Sequence, residues 1–273
     1  MLFDFEERPS DSPFVETIWR NNNRSAGSFT SMAISQWSLV VTKHQGKMTL
    51  TVRGPETKAT PAYCPEDAEH FGIIFKFGTF MSHLPAKNFV DRDANLPEAS
   101  SKSFWLNGSA WQFPDYDTAD TFINWLVRDG LLVREPVVEA ALHGQVRDLS
   151  LRSAQRRFLR ATGLTQGSAR QIERARYATT LLQQGVSILD TTYEVGYFDQ
   201  SHLTTSLKYF IGQTPAQIYR QNNAEQLSFL SKTAPPFLSY DANVRLTTTG
   251  DPREKSNRIN VRDPRWLHLS PSR

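Results

Sequence analysis

Apolar positions recur along this chain with two different periods, and the change from one to the other divides it. Over roughly the first 128 residues the signal is alternation. Met48, Leu50 and Val52 alternate with Thr49 and Thr51, and the run stops at Gly54 and Pro55. Residues 72–77 are rich in β-branched and aromatic side chains and stop at Gly78, and residues 31–34 and 37–42 are further strand candidates. Short strands between Pro and Gly turns predict a compact sandwich or barrel. Beyond residue 118 the period becomes helical. Residues 118–133 carry Phe122, Trp125, Leu126 and Leu132 along one side, a stripe that serves equally as a subunit contact or as packing against the β part. Pro136 suits a first helical turn, followed by apolar Val137, Val138, Ala141 and Leu142. Residues 168–184 place Ile172, Ala175, Ala178 and Leu182 inward and close on Gly185, a rod of about 26 Å at 1.5 Å per residue.

One short pattern occurs twice within the helical part. Ser150, Ala154, Phe158 and Gly163 are matched by Asp199, Leu203, Leu207 and Gly212, an N-cap, two inward positions and a closing glycine each time. At about 100° per residue, Arg152, Gln155, Arg156 and Arg160 point away from the first apolar side; Ser201, Thr204, Thr205 and Lys208 do so in the second. Ser187 and Asp190 have capping-box spacing, which predicts a helix running to about Val195; Gly196 then turns the chain before Asp199. Two short helices about a glycine turn, the second polar outward, describe a helix-turn-helix whose second helix can enter a DNA major groove.

On residues 150–163, 196–203 and 212–218, the last opening Gly212, Gln213, Thr214, Pro215, the chain resembles the AraC/XylS family of bacterial transcription regulators. The resemblance implies an α+β multidomain protein with a β-rich, cupin-like sandwich or barrel and linker helix at 1–134 and an all-α double helix-turn-helix domain at 135–223; beyond these the periodicity decays, which predicts a largely flexible tail at 224–273 with one helical turn at 226–230. The cupin-like part rests on a looser match at Arg53, Gly54 and Pro55 and at residues 71–78. The family's base-contact positions fall on Arg152, Gln155 and Arg156 and on Gln200, Ser201, Thr204 and Thr205; Ser153, Arg160, His202 and Lys208 complete the DNA-facing set. Arginine suits guanine and glutamine suits adenine because each forms two parallel hydrogen bonds. Implied partners are double-stranded DNA, a small-molecule effector at the N-terminal part, a second copy in a homodimer, and RNA polymerase in the case of an activator. Three departures stand out. Thr205 occupies a position where the family commonly has arginine, Thr191 and Thr192 replace an apolar residue and alanine, and only residues 143–149 are available for a scaffold helix before Ser150, with Gly144 at the expected helix contact.

Charge supports a nucleic-acid partner. Residues 1–134 hold 13 Lys and Arg against 16 Asp and Glu, whereas residues 135–223 hold 10 against 7. Within 146–176, eight arginines face only Asp148 and Glu173, an excess suited to phosphate. No apolar run approaches a membrane span, and the first residues lack signal-peptide character, which predicts a cytoplasmic protein. Cys64 is the only cysteine and reads as a structural thiol. His44, His70 and His83 are separate, without the His-x-His pair of a metal-binding cupin, so no metal or cofactor is expected. The aromatics Trp19, Phe29, Trp37, Phe71, Phe75, Phe77, Phe80, Phe104, Trp105 and Trp111 are read as core before ligand pocket. No nucleophile-base-acid set is visible and Cys64 has no nearby partner in sequence, so the chain is read as a regulator and not an enzyme. Control by protein contacts instead of an effector, and an enzyme carrying an appended DNA-binding domain, are the alternatives.

Overall fold

The computed structural model describes residues 3–23, 25–146 and 149–220. The tail at 224–273, with the helical turn expected at 226–230, lies outside them. In chain order the strands are β1 (Phe3–Arg8), β2 (Val15–Asn23), β3 (Gly27–Ser31), β4 (Ser38–His44), β5 (Lys47–Arg53), β6 (Thr60–Cys64), β7 (Glu69–Phe75), β8 (Thr79–Met81), β9 (Asp93–Asn95), β10 (Glu98–Ser100), β11 (Ser103–Leu106) and β12 (Ser109–Gln112). Helix α1 (Ala119–Arg128) and strand β13 (Leu132–Arg134) follow. The helices α2 (Pro136–Leu142), α3 (Leu151–Thr162), α4 (Gln166–Gln183), α5 (Ile188–Glu194), α6 (Gln200–Phe210) and α7 (Pro215–Arg220) complete the described chain.

The main sheet has strand order β1-β2-β7-β4-β5-β9 and is antiparallel throughout. Its central strands are buried. Val15, Ile18, Leu39, Val41, Leu50, Val52, Ile73 and Phe75 form the heart of one cluster, which the three-stranded sheet β10-β11-β12 and α1 close with Phe104, Leu106, Phe122 and Leu126. The N-terminal β-rich domain is consistent with a cupin-like fold, and with the helices behind it the chain is α+β.

The strand expected at 37–42 is β4 and that at 48–52 is β5. The one expected at 72–77 begins earlier and ends at Phe75. Residues 31–34 do not form a strand. Only Ser31 belongs to β3, and Ile34 makes a single bridge to Glu56, because this buried segment is used elsewhere: the Ala33 N–H donates to the Phe210 carbonyl at the end of α6. Helix α1 ends at Arg128, not at residue 133. Gly130 takes a left-handed φ of +69°, its N–H and that of Leu131 close on Val127 and Leu126, and Leu132–Arg134 then pair with β8. The stripe also divides: Phe122 and Leu126 are core, while Trp125 stays 46% exposed, so the Phe122 and Leu126 face is not available as a subunit contact. Of the aromatics, Trp19, Trp37, Phe71, Phe75, Phe77, Phe80 and Phe104 are buried and Trp105 is exposed.

The helices form no separate layer, because the two larger apolar clusters each join β and α parts. Phe158, Ala161, Leu164, Ala169 and Ile172, from α3, α4 and the turn between them, belong to the cluster of the main sheet. Met32, from the β-rich part, belongs to the cluster built on Ala175, Ala178, Leu182, Leu203, Leu207 and Ile218. Gly163 shows how closely the parts approach. It ends α3 at a left-handed φ of +73°, and a Cβ there would lie 2.6 Å from Val90 Cγ2 and 2.7 Å from the Ala86 carbonyl. Gly163→Ala is therefore expected to cost about 1–2 kcal/mol for the backbone conformation and a comparable amount for overlap. Urea denaturation checks this; unchanged stability would mean that the contact is not close.

Candidate DNA-binding face

Both recognition helices begin and end as their local sequences dictate. The Ser150 hydroxyl accepts from the Ser153 N–H at 3.2 Å, and the Asp199 carboxylate accepts from the His202 N–H at 2.7 Å. In α5 the Ser187 hydroxyl accepts from the Asp190 N–H and donates to the Asp190 carboxylate, so the capping-box pair forms with the hydroxyl in both roles. The helix joining the two units starts two residues before the expected 168, because Thr165 provides the cap for Ser168. Its inward residues Ile172, Ala175, Ala178 and Leu182 are all fully buried.

The first unit has a scaffold helix after all. Helix α2 packs on α3, with Pro136 in its first turn and Val138 and Ala141 buried. The Glu135 side chain accepts from the Val137 N–H at 3.3 Å and from the Arg157 guanidinium, tying the start of α2 to the middle of α3. Gly144 is not a helix contact. It sits in the turn after α2 at φ +67° with nothing close to it. The second unit is fastened by the Tyr177 hydroxyl donating to Glu194 at 2.8 Å, by the Arg174 guanidinium over the Tyr197 ring, and by Tyr197 and Ser206 hydroxyls at 2.8 Å. Thr191 and Thr192 are buried, and the Thr192 hydroxyl donates to the Ile188 carbonyl.

The outward faces are open. Arg152, Gln155, Arg156 and Arg160 are exposed on α3, as are Gln200, Ser201, His202, Thr205 and Lys208 on α6; Ser153 and Thr204 are half-buried. Several are partly engaged. The hydroxyls of Thr204 and Thr205 donate to the carbonyls of Gln200 and Ser201 at 2.8 and 2.9 Å, and the His202 ring packs edge-on against Tyr197. The arginine excess is smaller than the composition implies. Arg157 pairs with Glu135, Arg176 is buried beside Glu173, Arg170 donates to the last carbonyls of α2, and Arg174 lies over Tyr197. Arg152, Arg156 and Arg160 remain outward.

Some exposed residues on this side went unnoticed in the sequence. Leu151 and Leu159 lie outward on α3, and Phe198, in the turn before α6, is 89% exposed. An aromatic immediately before an N-cap, where no core needs it, was the available signal; such a side chain can contact a thymine methyl group.

Both helices are anchored on the β-rich domain at their C-terminal ends. Gly163 meets Ala86 and Val90, Gly212 meets Thr30 and Ala59, and the Ala33 and Ala59 N–H groups donate to the carbonyls of Phe210 and Tyr209 at 2.8 and 2.9 Å. These donors satisfy carbonyls that a helix end leaves free. The middle of α4 is anchored too, by the Ser35 hydroxyl donating to the Glu173 carboxylate. Burial pushes the Glu173 carboxyl up from its ordinary 4.5, against the pull of Arg176 and of Ser35, with Glu16 nearby. A carboxyl raised in the folded state contributes stability that is fully present below 4.5 and is lost as pH rises through its folded value. The unfolding free energy of the parent chain minus that of Glu173→Gln should accordingly fall as pH rises above this point; a flat difference would contradict it.

Elsewhere the fold joins residues that the sequence leaves apart. Cys64 Sγ lies 3.2 Å from His70 Nε2, whose Nδ1 is 3.1 Å from the Thr42 hydroxyl, and Asn23 donates to the same sulfur. Cys64 thus does have a histidine partner, contrary to the expectation from spacing. Burial pushes the thiol up and the His70 imidazole down, the opposite of an activated pair. Among the described residues no cluster of three or more His, Cys, Asp or Glu could hold a metal ion.

A comparison with protein families matches residues 146–221 to the Helix-turn-helix domain. Residues 146–221 are an AraC-type helix-turn-helix domain. No curated protein and no solved structure matches the chain. An AraC-type domain supports DNA-binding transcription regulation and suggests a non-enzymatic regulator. Among the described residues no helix is long and apolar enough to cross a membrane.

Proposed function

We propose that this chain is a sequence-specific, one-component transcription regulator in which residues 135–223 read double-stranded DNA through the major groove and residues 1–134 sense a small-molecule effector. The observation that carries the reading is the pair of open polar helix faces on one 18-residue helix, α4. Major grooves on one DNA face recur about every 34 Å, and α4 spans about 27 Å, so one molecule can reach two of them. The base-reading residues proposed are Arg152, Gln155 and Arg156 on α3 and Gln200, Ser201, Thr204 and Thr205 on α6, with Ser153, Arg160, His202 and Lys208 beside them. Effector control is favoured by the contact between the β-rich domain and both recognition helices, because a ligand that shifts this contact acts on the reader directly.

Selection of binding sites from a random duplex pool tests the reading. Two half-sites about one helical turn apart are expected, and recovery of sequence-independent binding alone would overturn it. Screening metabolites by thermal shift separates effector control from control by protein contacts, since a ligand bound only to the native state raises the transition.

A further inference from the structure

Each recognition helix is preceded by an apolar residue that the core does not use. Leu149 stands before the cap Ser150 and Phe198 before the cap Asp199, equivalent places in the duplicated pattern, and both side chains are exposed. An apolar residue there ordinarily staples the start of a helix by folding onto the fourth helical position. In α3 that position is Ala154, which offers little to fold onto; in α6 it is Leu203, fully buried. Phe198, at 89% exposure, does not cover it. The ring is therefore no part of what holds α6 in place.

Its exposure is not looseness. On one side the Tyr197 N–H donates to the Thr192 carbonyl at 2.9 Å, and the buried Tyr197 ring lies under the Arg174 guanidinium. On the other the Asp199 carboxylate caps the His202 N–H at 2.7 Å. Phe198 is held between two fixed neighbours, immediately before the turn of a recognition helix that reaches base edges. The polar readers beside it are partly engaged: the Thr204 and Thr205 hydroxyls donate to carbonyls of their own helix, and the His202 ring packs on Tyr197.

We propose, on the reading of α6 as a major-groove helix, that Phe198 reads a C5-methyl group, so that the second unit prefers thymine at one position and accepts 5-methylcytosine there. The thymine methyl is the apolar feature that base edges offer in that groove, and a phenyl ring carries no donor or acceptor with which to read the others. 5-Methylcytosine bears the same methyl group on the same ring carbon. Burial of one methyl group against the ring should change affinity about fourfold.

The test is a methyl scan of the duplex selected by the parent chain, read as affinity at one salt concentration. Each thymine is replaced in turn by deoxyuridine, which removes the methyl group and keeps the hydrogen-bonding pattern. One replacement should weaken the parent chain about fourfold and have no effect on Phe198→Ala. At that position the parent should bind 5-methylcytosine about fourfold more tightly than cytosine, and Phe198→Ala should bind the two alike. Phe198→Leu, which stays apolar, should retain part of the discrimination. Because the ring is exposed, Phe198→Ala should keep the urea midpoint of the parent, which separates lost reading from lost folding. A scan that is flat in the parent chain, or a deoxyuridine effect that survives unchanged in Phe198→Ala, would overturn the proposal while selective DNA binding stands. Failure of the major-groove reading looks different: the parent chain would then bind selected and random duplexes equally.

Discussion

Phe158→Ala should lower the stability of the chain by about 3–5 kcal/mol and should do so for its β and α parts together. Phe158 is 1% exposed and packs edge-on against Phe77 with ring centroids 5.8 Å apart. Truncation removes a large buried side chain and the aromatic contact, and leaves a void at the junction of recognition helix and sheet. The cluster that holds Phe158 also holds Ile73 and Phe75 of the central strand, so the loss is not confined to the helix. Urea denaturation followed by far-ultraviolet and near-ultraviolet dichroism checks both parts. Coincident transitions, both moved to lower urea, are expected; a β transition that stays in place while the helices melt would show two independently stable bodies.

Arg156→Ala should weaken binding to a selected operator by about 1–3 kcal/mol and relax preference at one base pair, whereas Thr205→Ala should weaken it less. The two residues occupy equivalent positions in the duplicated pattern, and both are exposed. Their chemistry differs. Arg156 offers a two-pronged donor with no acidic partner, while the Thr205 hydroxyl already donates to the Ser201 carbonyl at 2.9 Å. Sequence preference should therefore be sharper over the half-site read by α3. Affinities for matched and mismatched duplexes at one salt concentration decide it, because phosphate attraction varies steeply with salt. Uniform weakening on all DNA by Arg156→Ala, with altered base preference in Thr205→Ala, would reverse the assignment.

The reading side of the molecule was legible because it is built from local rules. Caps at Ser150, Ser187 and Asp199, the turn at Gly196 and the inward spacing of Ala154, Phe158, Leu203 and Leu207 all act within one or two helical turns. A sequence displays such terms directly. The β-rich domain was legible only in its central strands β4, β5 and β7. Of the strands left unread, β10 to β12 are local hairpins whose short, largely exposed strands carry little apolar alternation, whereas β6, β8, β9 and β13 owe their form to partners far away in the chain. The helix expected through residue 133 failed for the same reason: Leu132 and Val133 are drawn into pairing with Met81 and Phe80.

The sequence by itself determined the duplicated helix-turn-helix, its polar faces and the residues on them, since helix periodicity and capping are near-neighbour effects. Only the tertiary structure decided which of the arginines remain outward, because ion pairs such as Arg157 with Glu135 and stacking such as Arg174 on Tyr197 join residues 22 or more positions apart. It also decided why both copies end on glycine. The left-handed cap was visible in each, but the second demand, that Ala86 and Val90 press on Gly163 and Thr30 and Ala59 on Gly212, arises from packing across the fold, which no local pattern encodes.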